Sequence, residues 1–296
     1  MQLGRWLVFT VFFLSFPLLS GNLEDLEKKI REEISETNAT FAIAFQDLSG
    51  TASLFMNQDE MMHAASTMKT PVMMRLFEMI DAGSLSLETG VGVKNSFHSI
   101  VDGSLFSLSE DESEVLFQYL GQSLTVERLI TLMITKSSNM ATNILIELAD
   151  AKEVMRLMHQ LNIRDIQVLR GVEDMKAYNL GQNNRSSAGA MLKVMLACAR
   201  ASHFTPETRE RMLAILRQQH YNEMIPGGIP KGSGALVAHK TGSISTVEHD
   251  AAIVDLPNGD RYGLVIFVQN FKDRAEVQAR ARGISSHIYQ YMISKK

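Results

Sequence analysis

The chain has 296 residues, 45% of them hydrophobic and 21% charged, enough to bury a substantial core in one large domain or two closely joined ones without covalent staples. A formal net charge of -4, with 29 Lys and Arg scattered among 33 Asp and Glu, leaves no basic stripe for a nucleic-acid partner. The eight histidines form no HxH or HExxH pair and Cys198 is the only cysteine, which argues against a metallo-hydrolase and an intrachain disulfide, so no metal and no cofactor are expected.

Arg5 is followed by an apolar run from Trp6 to Leu19 and then by Ser20 and Gly21. This is the layout of a signal peptide over residues 1–21. The run is short for a membrane span and Pro17 interrupts it, so cleavage and export to a periplasmic or extracellular space are expected, with no stable membrane anchor in the mature chain. Residues 22–296 read as a single catalytic domain. Apolar positions at helical spacing predict a helix from Asn22 to Glu36. Thr40 to Phe45 and Ala52 to Phe55 read as a hairpin around Ser49 and Gly50. Helical periodicity then dominates Thr67 to Ala82, Thr125 to Lys136, Asn139 to Ala149, Lys152 to Leu161 and Ser187 to Ala201, with one more helix from Pro206 to Gln219.

After the segment GGIPKGSG come three β-rich runs, Leu236 to Lys240, Ala251 to Leu256 and Tyr262 to Gln269, the last two joined at Asn258 and Gly259, and a closing helix from Asp273 to Ile293. Strands at both ends around a helical middle predict an α+β fold. One antiparallel sheet comes from both chain ends (residues 22–63 and 204–296) and is flanked by helices, with an inserted all-helical part over residues 64–203. The cleft between the two parts is the natural place for a site.

Three short motifs carry candidate chemistry. Ser66 and Lys69 form the one SxxK of the chain, and on a helix this spacing puts both side chains on one face, where a lysine whose charge is disfavoured by burial can take the serine proton. Ser137, Ser138 and Asn139 fall between two helices; Ser137 can relay a proton and the Asn139 carboxamide can hold a substrate amide. Lys240, Thr241, Gly242 and Ser243 end the strand-like run LVAH. Lys240 offers a fixed positive charge and Thr241 a hydroxyl for a substrate carboxylate, Gly242 lets a substrate backbone approach the edge, and the Ser243 amide can serve an oxyanion hole. Taken singly, each motif has a plain structural reading as a helix cap, a solvated lysine or a strand exit.

In order and placement, the stretches AASTMKTPVM, LITLMITKSSNMATNILI and VAHKTGS resemble those of class A serine β-lactamases and their penicillin-binding relatives, over nearly all of the mature chain. The resemblance implies a β-lactamase/transpeptidase-like fold and an acyl-enzyme on Ser66, with Lys69 activating it and Ser137 shuttling the proton to the leaving nitrogen. Asn139, Lys240, Thr241, Gly242 and Ser243 would hold the substrate, and the amides of Ser66 and Ser243 the oxyanion. The partner expected is a small-molecule β-lactam or peptidoglycan-like substrate, acted on by a monomer. Alternatives are a penicillin-binding carboxypeptidase or esterase with slow deacylation and, in another class, a non-catalytic binding or sensor module.

The sequence departs from that family in several places. Ser138 stands where class A enzymes usually have Asp. In the segment RGVEDMKAYNLGQNNRSS, Glu173 is the best match to the deacylating glutamate, but Ala177 stands where an Asn would help hold the water, and Asp174 is the fallback base. Thr241 to Asp260 contains no Arg or Lys, leaving His249 as the stand-in for a second cation there. The connection from Ser96 to Gln122 is long, polar and acidic, and is expected to shape the cleft edge.

Overall fold

The computed structural model describes residues 22–49, 52–109 and 114–295; the expected signal peptide and Gly50 lie outside them. Helix α1 (Leu23–Ser35) starts where the Asn22 side chain accepts from the Glu24 amide, with Glu24 and Asp25 placed at the positive end of the helix dipole. It leads into strands β1 (Thr40–Asp47) and β2 (Ser53–Met56), the hairpin that alternation predicts. The chain then forms α2 (Lys69–Asp81), α3 (Val126–Thr135), α4 (Asn139–Ala149), α5 (Ala151–Gln160), α6 (Met175–Asn179), α7 (Ala188–Arg200) and α8 (Pro206–Leu216), and returns through β3 (Leu236–Ile244), β4 (Val247–Asp255) and β5 (Arg261–Gln269) to α9 (Arg274–Ser294).

The five strands make one antiparallel sheet in the order β3-β4-β5-β1-β2. The two chain ends meet at its centre, where Thr40 of β1 faces Gln269 of β5. Alternation sends Phe41, Ile43, Phe45, Leu264, Ile266 and Val268 to one face, against α1 and α9. Ala42, Ala44, Ala251, Ile253, Val265 and Phe267 go to the other, against the helices led by α7. Both faces are therefore dry, and each fully buried large aliphatic or aromatic side chain contributes about 1.5–3 kcal/mol. The fold is the β-lactamase/transpeptidase-like α+β arrangement, with helices on both sides of the sheet.

Two features place the site. Helix α2 buries Lys69, Thr70, Pro71, Val72, Met73, Met74, Leu76 and Phe77, so its first residue enters the interior instead of facing water. Strand β3 is an edge strand, and it runs on to Ile244, beyond the Lys240 end that its polar continuation suggests. The short 3-10 turn Ala65–Met68 that precedes α2 packs against β3 and β4. A small second sheet joins Met62–His63, Arg185–Ser186 and Ile166–Gln167, fastening the segment before that turn to the loop that carries Glu173.

Candidate active site

Ser66 sits in the 3-10 turn, partly exposed, at the floor of a cavity of about 450 Å³ that Ser137, Asn139, Glu173, Thr241 and Ser243 also line. The preceding Ala65 has φ 46°, a left-handed conformation that a Cβ disfavours. Its amide donates to His63 Nδ1 at 3.0 Å, which helps hold it there. Ser137 (φ 56°) and Glu173 (φ 64°) share that unusual conformation, so two residues lining the cavity, and the one before Ser66, are held in strained backbone.

The two lysines converge on Ser137. Lys69 Nζ donates to Ser137 O at 2.6 Å, Ser137 Oγ at 3.2 Å and Asn139 Oδ1 at 3.0 Å. Lys240 Nζ donates to Ser137 Oγ at 3.1 Å and to Thr241 O at 2.8 Å. With both lone pairs of Oγ engaged, the Ser137 proton is the one left to donate. Both lysines are fully buried. Burial, and then the charge of Lys240, hold the Lys69 amine well below its ordinary value, while Glu114 and Glu173 oppose the shift. Burial pushes Lys240 down to about 7 against the pull of Asp250. The Lys69 backbone amide donates to Ser66 O, but among the described residues no side-chain hydrogen bond joins Lys69 Nζ to Ser66 Oγ; such links often tighten only when substrate is bound.

Asn139 bridges the halves of the site: its Oδ1 faces Lys69 and its Nδ2 donates to Glu173 Oε1 at 3.0 Å. The loop under Glu173 is pinned by Asn143, which exchanges hydrogen bonds with both the amide and the carbonyl of Val172. Asp174 is elsewhere. It is 1% exposed, caps α6 through the Ala177 amide, and accepts from Ser99 Oγ and the Ile100 amide. Buried, with three acceptor positions engaged in holding the loop and no place in the lining of the cavity, it has no geometric case as the fallback base. Ala177 is buried in α6, so no carboxamide stands there beside Glu173.

Gly242 plays a different part from the one its place in the motif suggests. A Cβ on it would lie 3.0 Å from the Thr67 amide nitrogen and 3.1 Å from Ala64 O, so its bareness admits the turn that carries Ser66. Ser243 and Thr241, by alternation, face the cavity. His249 is no stand-in cation: it is fully buried on the Phe267 ring, accepts from the Val268 amide and faces His63 O, and burial lowers it to about 4.

Two site residues escaped the sequence reading. Arg274, the first residue of α9, lines the cavity. Its guanidinium meets Glu248 at 3.1 Å and Ile244 O at 2.9 Å, and Glu248 in turn accepts from Ser243 Oγ at 2.6 Å. Glu114 also lines the cavity and takes the hydroxyl of Ser138 at 2.8 Å. Neither stands in a motif; the signals were the missing cation after Thr241 and the missing charge at Ser138.

A family model described as the beta-lactamase enzyme family matches residues 25–292. Over the full length of both chains the sequence is 22% identical to beta-lactamase VEB-1 of Pseudomonas aeruginosa. It is 25% identical to a beta-lactamase of Bacteroides uniformis, covering 91% of this chain and 92% of that one. Among solved structures, PBP-A superposes with a TM-score of 0.77 at 27% identity, over 91% of this chain and 96% of its own. The TLA-1 extended-spectrum beta-lactamase superposes with a TM-score of 0.80 over 92% and 99%, a likeness of fold at 17% identity.

Proposed function

Because this chain belongs to the beta-lactamase enzyme family, we propose that it hydrolyses β-lactams through an acyl-enzyme on Ser66. The observation that carries the reading is Ser137 Oγ held between the Lys69 and Lys240 amines beside Ser66 in one cavity. The depressed Lys69 amine takes the Ser66 proton as Oγ attacks the ring carbonyl. The amides of Ser66 and Ser243 receive the oxyanion. As the ring C–N bond breaks, Ser137 gives its proton to the leaving nitrogen and is reprotonated from Lys69. Lys240, Thr241 and the guanidinium of Arg274 face the substrate carboxylate. Glu173 then takes a proton from the water that attacks the ester carbonyl, and as the C–Oγ bond breaks that proton is returned to Ser66 Oγ, releasing the opened ring as a carboxylic acid and restoring both Ser66 and the Glu173 carboxylate.

A second reading, acylation with slow release, is favoured by one local fact. Glu173 leans on Asn139 alone among the described side chains, and Ala177 offers no second amide to fix a water. A mutant of PBP-A, 28% identical to this chain, has been solved as an acyl-enzyme complex with penicillin G.

Intact-mass measurement after mixing with benzylpenicillin tests both. Hydrolysed penicillin with a transient adduct that maps to Ser66 is the expected result, and a persistent adduct supports slow release. An adduct of equal yield on Ser66→Ala would contradict both.

A further inference from the structure

Lys69 and Lys240 lie side by side around Ser137, and among the described residues none of their hydrogen-bond partners is a carboxylate. A carboxylate does stand behind the turn that presents Ser137. Both oxygens of Glu114 lie 2.8 Å from Ser138 Oγ, Oε2 also accepts from the Met140 amide at 3.1 Å, and Oε1 from the Leu116 amide at 3.2 Å. Having given its one proton to Glu114, Ser138 Oγ offers a lone pair to the Ala141 amide at 3.0 Å and so caps α4. Glu114 therefore grips the residue before Asn139 and the residue after it, at the positively polarised end of α4. Ser137 is the left-handed residue next to this grip, a backbone state that persists only where the surroundings hold it.

We propose that Glu114 is a positioning residue for acyl transfer. It holds the turn Ser137 to Asn139 so that Ser137 Oγ stays between the two lysines, and it supplies the negative charge that the turn itself lacks. The proposal rests on the reading of Ser66 as the acylated nucleophile. Two consequences separate this role from simple bracing. Loss of the charge should act on acylation, where Ser137 and Lys69 work, and not on the Glu173 step. It should also move the pH at which Lys69 becomes competent, because Glu114 favours the charged amine. Without Glu114 the amine is neutral to lower pH, so the acid limb of the acylation profile shifts down.

The test uses the full mature chain and a penicillin, with acylation and deacylation followed separately by rapid-quench mass measurement across pH. Glu114→Gln keeps the shape and removes the charge. It should slow acylation by about tenfold to 10²-fold, the scale of a small misplacement of reacting groups, leave deacylation unchanged and lower the acid limb. Adding Ser138→Asp returns a carboxylate one residue from Ser137 with a side chain that still caps a helix. The double variant should recover acylation to within about threefold of wild type, as coupled neighbours do. Glu114→Asp, which keeps the charge, should leave the acid limb in place and serves if the glutamine variant does not fold. Wild-type acylation with an unmoved limb in Glu114→Gln, or a double variant no better than the single one, overturns the proposal. Ser66→Ala run beside them separates the two failures: an adduct on that variant removes the underlying reading, whereas its absence leaves any failure with Glu114.

Discussion

The two walls of the cleft are built to different standards. On one, Lys69 comes from α2, Lys240 from β3 and Ser137 from the short turn that leads into α4, and the two lysines are fully buried and joined through one hydroxyl. On the other, Glu173 rides on a loop. That loop is firmly held at its base, where Arg170 donates to Gln182 O, Gly171 O and Asn183 Oδ1 and where Asn143 clasps Val172. At its tip the carboxylate itself has one side-chain partner among the described residues, Asn139. The wall of the two lysines is held from several sides, whereas the Glu173 carboxylate has a single side-chain contact among the described residues. Under the proposed acyl transfer, a chain built this way can keep acylation while release varies.

The sharpest way to break this contrast is at Glu173. If its carboxylate activates the hydrolytic water, Glu173→Gln should lower steady-state turnover of a chromogenic cephalosporin by about 10²- to 10⁴-fold, the usual worth of a general base. Turnover within a few-fold of wild type would make the two walls equally dispensable for release.

A smaller effect is expected at Lys240. With its amine lowered to about 7 by burial, the charge is present below that pH and lost above it, so kcat/KM for a penicillin should fall as pH rises through about 7 while that of a neutral ester does not. Lys240→Ala should remove this dependence and cost about 1.5–3 kcal/mol with carboxylate-bearing substrates, the range for a charged hydrogen bond. Equal losses on both substrates would mean that Lys240 does not meet the carboxylate.

The smallest effect is structural. Gly242→Ala should destabilise the fold by about 1–3 kcal/mol, because the new methyl meets the backbone of Thr67 and Ala64. Thermal denaturation reads this directly, and an unchanged melting temperature would contradict the close packing of β3 on the nucleophile turn.

Much of this architecture is legible in the sequence, where a local pattern sets the structure. The helical spacing of Asn139 to Ala149 gives α4 with its own bounds, and the alternation of Thr40 to Phe45 gives β1. The end of β3 is not legible, because Thr241, Gly242 and Ser243 are residues typical of turns. They stay in a strand because each remains paired with β4, Thr241 with Asp250, Gly242 with His249 and Ser243 with Glu248, while the bare Gly242 accommodates the turn packed against it. The three motif stretches announce Ser66, Lys69, Ser137 and Asn139, which lie where an element begins or a turn leads into one, and Lys240, which sits in the middle of β3. Glu114 and Arg274 are invisible to that reading: one reaches Ser138 across 24 residues of chain and the other reaches Ser243 through Glu248 on a neighbouring strand. His249 misleads because sequence proximity to Ser243 says nothing of which sheet face it takes.

The contrast between the walls is tested most directly by time-resolved intact-mass measurement of Glu173→Gln mixed with benzylpenicillin. The adduct on Ser66 should form at the wild-type rate and then persist. An adduct that clears at wild-type speed, or one that forms as slowly as it clears, would contradict the separation of an acylating wall from a deacylating one.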